Sequence, residues 1–157
     1  MGHRVTAIIA RGPANLEAAE EYDLPVMELK QGFELVHLDI WHRTYWEQKI
    51  KTESLREYTF SEGRMRLDDE LTHYWARRLF EGKPYALIET DYFGGIGTQA
   101  AAVYEEGCVK MSTEEGGINK ALRVLGVEAQ EELDEFDSVE LNRHRESSDY
   151  FEKYYEM

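Results

Sequence analysis

The stretch spanning residues 85–111, YALIETDYFGGIGTQAAAVYEEGCVKM, limits what this chain can fold into more than any other. Two apolar segments, 85–92 and 99–103, flank a glycine-rich turn at Gly94, Gly95 and Gly97. Glycines at a turn admit the backbone angles that a tight reversal needs, so the stretch predicts a β-hairpin at the centre of the fold. A second turn at Glu105, Glu106 and Gly107 leads into a third short strand over 108–111. Three strands joined by short turns predict an antiparallel meander. Ala100, Ala101 and Ala102 are small, so a bulky element is expected to pack closely on them, and the helix carrying Trp75 is the candidate.

The rest of the chain is read around this hairpin. Residues 5–10 (VTAIIA) form a short apolar run and predict a buried strand. A helix follows over 14–22, entered through Pro13 and stopped by Asp23-Leu24-Pro25. Strands are expected over 26–30 and 33–40, split by Gln31-Gly32, and a helical aromatic stripe over 41–51. Residues 52–66 read as a connection. The strongest helix covers 67–80, with acids at its start, Arg77 and Arg78 near its end, and Gly82 and Pro84 beyond. A further helix over 118–125 ends at Gly126, an acidic turn covers 130–136, and a last helix covers 149–155. The expectation is one α+β domain over residues 1–157, with a largely antiparallel sheet, a central glycine-turn hairpin and helices packed on one face.

The formal charge is −14 over 157 residues, and residues 128–157 hold 11 acids against 3 bases. Such a field repels phosphate backbones, which argues against direct nucleic-acid binding. It attracts basic proteins and speeds their encounter. No apolar run reaches the ~18 to 20 residues of a membrane-spanning helix. The lone Cys108 has no partner for an internal disulfide, so a bacterial, cytoplasmic protein is expected.

Catalytic and binding motifs are incomplete. The DYFGGIG stretch lacks the spaced third glycine of a dinucleotide site, and no Gly-Lys-Ser/Thr follows it. No nucleotide or other cofactor is therefore expected. Glu89 and Asp91 share a strand face and could serve as an acid and base pair, with His37 as a third member. The five histidines form neither HExxH nor a CxxC-supported set, so no metal is expected. Cys108, beside Glu105 and Glu106, lacks the positive surroundings of a catalytic thiol and reads as a buried small residue.

The segment from Ser112 to Val127, STEEGGINKALRVLGV, resembles the C-terminal motif of the XisI-type proteins of cyanobacteria. In that motif an acidic-glycine turn leads into a helix ending in Leu-Gly-Val. The proline usual after that valine is replaced by Glu128 and Ala129. The resemblance covers these residues alone. It implies a small, acidic α+β protein that acts as the antitoxin half of a pair with a nuclease-like partner.

Three functional readings follow. The first is a non-enzymatic acidic protein-binding domain of the immunity or antitoxin class that masks a basic toxin. Its partner-binding residues would be Glu131, Glu132, Asp134, Glu135, Asp137, Tyr150 and Tyr154. The second is a small enzyme or ligand-binding domain using Glu89, Asp91 and His37 near the glycine turn. The third is a structural protein that forms homo-oligomers through the hairpin edge or the aromatic stripe.

Overall fold

The computed structural model describes residues 2–50, 65, 67–93, 96–106 and 108–156. Six strands form one sheet: β1 (Thr6–Arg11), β2 (Val26–Glu28), β3 (Phe33–His37), β4 (Tyr85–Phe93), β5 (Ile96–Glu105) and β6 (Cys108–Glu115). Their order is β2-β3-β1-β4-β5-β6, and every neighbouring pair is antiparallel. Among the described residues the sheet is accompanied by the α-helices α1 (Leu16–Glu21), α2 (Ile40–Glu47), α3 (Glu70–Leu79), α4 (Ile118–Leu125) and α5 (Glu135–Ser138). The fold is α+β, as the chain predicts. The expected connection over 52–66 lies, apart from Met65, outside the described residues.

The hairpin is longer than its two apolar runs. β4 and β5 stay in register from Tyr85↔Tyr104 to Phe93↔Ile96. Gly97 is required there by close approach: a Cβ at this position would stand 1.9 Å from the carbonyl oxygen of Asp91. β6 also exceeds its expected length, running to Glu115.

Helices cover both faces of the sheet, which corrects the expectation of one. The reason lies in the strands: β1, β4 and β5 are apolar on both sides, and an apolar face left in water would forfeit its burial energy. On one face Ile8, Leu87, Ala102 and Tyr104 pack with Leu71, Trp75 and Leu79 of α3. That core joins Ala102 and Ala100 of the expected alanine floor to the Trp75 helix, whereas Ala101 faces the opposite side of the sheet. On the other face Ile9, Ile88, Ala101 and Val103 pack with Ile118, Ala121 and Leu122 of α4.

The C-terminal segment differs from the single last helix expected. It runs as short 3-10 turns at Leu141–Arg143, Ser147–Tyr150 and Glu152–Glu156. These turns lie against β1, β3 and α2 and shape the cleft described below. Among the described residues no helix is long and apolar enough to cross a membrane.

Candidate partner-binding cleft

β3 leaves the sheet after His37, and the chain turns into α2. Asp39 begins that helix, its carboxylate accepting the N–H of Trp41 at 3.0 Å. The last bond on that side of β1 runs from Leu38 N–H to Thr6 O at 2.8 Å, and before Thr6 residues 145–147 take the place of β3. Arg4 N–H donates to Arg145 O at 2.7 Å, and Ser147 N–H donates to Arg4 O at 2.9 Å. The Ser147 hydroxyl replaces a backbone rung, accepting from Thr6 N–H and donating to Thr6 O, both at 3.1 Å.

This splice forms the floor of a cleft of about 440 Å³. Asp39, Glu89, Asp91 and Glu146 line it, and the cation among its lining residues is Arg4. Arg4 reaches Asp91 at 3.4 Å with both side chains largely in solvent, so the pair is weak. Trp41 and Tyr155 stand on the rim, 55% and 41% exposed, with ring centroids 6.2 Å apart and planes at 66°. The Tyr155 hydroxyl donates to Asp39 at 3.0 Å, which ties the C-terminal turn to the start of α2. Anionic walls under an exposed aromatic pair suit a cationic side chain, which gains from both Coulomb attraction and the ring faces.

Ser147 and His37 form a pair that looks nucleophilic, with Oγ 2.8 Å from Nδ1. The same hydroxyl lies 3.1 Å from both Thr6 N and Thr6 O, so the pair is built into the backbone splice. Burial, with smaller contributions from His144 and His3, also pushes the His37 pKa down to about 4. The ring is fully buried, and Tyr150 stacks on it at 4.5 Å between centroids.

Glu89, Asp91 and His37 do not converge. Thr6 pairs with Glu89, whereas Ala7 pairs with both His37 and Ile88. Successive residues face opposite sides of a sheet, so the two acids face the cleft and His37 faces the α4 side.

The predicted partner-binding residues are divided in the same way. Glu131, Glu132, Asp134 and Asp137 are exposed. Asp134 also caps α5, accepting Asp137 N–H at 2.8 Å. Glu135 is buried, 3.9 Å from Arg123. Tyr154 belongs to the core, contrary to its expected place at an interface. Its ring packs edge-on to His42 at 4.9 Å, and its hydroxyl donates to Asp23 at 2.6 Å. Tyr150 is half exposed and serves as the cover of His37. Cys108, expected to be buried, is exposed.

A second polar group was not legible in the sequence. His73 meets Tyr85 through Nδ1 and Asp68 through Nε2, each at 2.6 Å, and the Tyr104 hydroxyl donates to Asp68 at 2.5 Å. All four side chains are buried, so the network satisfies a carboxylate inside the α3 core. Among the described residues no group of three or more His, Cys, Asp or Glu could hold a metal ion.

Compared with protein-family models, curated proteins and solved structures, the chain matches none.

Proposed function

We propose that this chain is a non-enzymatic, acidic protein-binding domain of the immunity or antitoxin class, which masks a basic protein partner in the cytoplasm. One observation carries the reading: four carboxylates and an exposed Trp41–Tyr155 pair surround a cleft whose lining holds Arg4 as its cation. Aromatic side chains on a polar surface are the usual anchors of protein interfaces. The net charge of −14 supplies long-range steering.

The binding centre moves from the C-terminal acids to the cleft. Glu131, Glu132, Asp134 and Asp137 remain a charged surface that draws a partner in, while Trp41 and Tyr155 become the contact. Masking is stoichiometric in this account, so a basic protein with a lysine or arginine in the cleft loses its own access to an anionic target. Co-expression with the product of an adjacent gene tests it. The expected result is a stable complex that salt weakens and that Trp41→Ala reduces. A chain that stays monomeric beside every neighbouring product, or a complex indifferent to Trp41, overturns it.

A further inference from the structure

The β4–β5 hairpin ends on a bare apolar pair. Phe93 and Ile96 are the last cross-strand partners and are 74% and 82% exposed, more than any other large hydrophobic side chains among the described residues. A small protein gains nothing by holding two such side chains in water, and contiguous exposed apolar surface marks contact sites. Their placement follows the register of the hairpin. The strands stay in register up to the pair, and Gly97 fits only because it lacks a Cβ.

Their direction connects them to the cleft. Phe93 lies two residues beyond Asp91 on the same strand, so both face the same side, roughly 7 Å apart along the strand. Ile96 is directly opposite Phe93 and shares that face. The acids Glu89 and Asp91 line the cleft, so the apolar pair continues one of its walls. Beyond Gln99 the outer edge of β5 is covered by β6 from Ala100↔Glu115 onward, which leaves the tip uncovered by that strand.

We infer that the hairpin tip is the apolar anchor of the docking surface, and that the partner meets it with an apolar side chain set beside the cation it places in the cleft. The inference rests on the cleft reading above and adds to it the chemistry of the partner: an amphipathic basic segment rather than a uniformly basic one. Charge complementarity selects that occupant over a second copy of this chain, because a chain carrying −14 repels itself. Acids at the cleft handle the cation, and the tip removes apolar surface of both partners from water.

Two short synthetic peptides test this, one alternating arginine with phenylalanine and one alternating arginine with serine, titrated by calorimetry. The wild-type chain is expected to bind the phenylalanine peptide at least tenfold more tightly. A Phe93→Ser/Ile96→Ser variant, whose changes are on exposed side chains and whose thermal midpoint checks its fold, is expected to lose that preference and keep its affinity for the serine peptide. Retention of the full preference in the variant overturns the anchor and leaves the cleft reading standing. Failure of the wild-type chain to bind either peptide overturns the cleft reading itself.

Discussion

The hydroxyl of Ser147 is hydrogen-bonded to Nδ1 of His37 at 2.8 Å while bridging the N–H and C=O of Thr6. A single side chain thereby closes the ladder that β3 abandons and fixes the C-terminal turns to β1. Ser147→Ala leaves Thr6 N–H and the buried His37 Nδ1 without this partner, while Thr6 O keeps the N–H of Leu38 at 2.8 Å, and each such loss costs about 1–3 kcal/mol where water cannot replace it. The variant is expected to lose about 2 kcal/mol of stability in urea unfolding. An unchanged midpoint would mean that the splice holds without the hydroxyl.

Acid should loosen the same region. His37 titrates at about 4 in the folded chain, and burial lowers His3, His42 and His144 as well. The unfolded chain takes up these protons near pH 6.5, where the folded chain does not. Stability is therefore complete above that pH, declines as pH falls from about 6.5 to about 4, and stays reduced below. For His37 alone the loss is roughly 3 kcal/mol. Urea midpoints between pH 7.5 and 4.5 should fall, and His37→Asn should flatten the decline while lowering stability at neutral pH.

Gly97 tests the geometry of the hairpin. An alanine there would place its Cβ 1.9 Å from the Asp91 carbonyl, so the strands must shift apart. Gly97→Ala is expected to cost about 2 kcal/mol or more by thermal or urea unfolding and to shift the amide resonances of residues 90–98. A variant as stable as the parent would show that the tip is not held as closely as its register indicates.

Much of the fold was legible because its signals are local. The pairing of the two apolar runs of β4 and β5, the acids opening α3 and Gly126 at the end of α4 each rest on signals within a short stretch of chain. The second helical layer was missed although its cause was in view: Ala86, Ile88, Ala101 and Val103 leave β4 and β5 apolar on the α4 face too. Trp41 shared a helical stripe with Tyr45, but sequence spacing does not say which side of a helix meets the sheet. The answer depended on His42, which turns inward to bond Tyr22 O at 2.7 Å. The cleft itself joins β1, β4, α2 and the last turn, whose members lie up to 151 residues apart from Arg4 to Tyr155. No periodicity in the chain links them. Tyr154 and Tyr155 illustrate the limit well, since adjacent tyrosines of one acidic tail divide between core and cleft rim.

In the proposed complex a cationic side chain enters the cleft beside Trp41. The most direct test is a titration of the chain with a short arginine-containing peptide, followed through the three tryptophan indole N–H resonances. Trp75 is buried in the α3 core, and Trp41 is exposed on the rim. The prediction is a saturable shift of the Trp41 resonance that salt weakens and that Asp91→Asn/Glu146→Gln suppresses, with Trp75 unmoved. Saturation that leaves Trp41 in place and moves the amides of residues 131–137 would contradict the cleft and return the binding site to the acidic C-terminal segment.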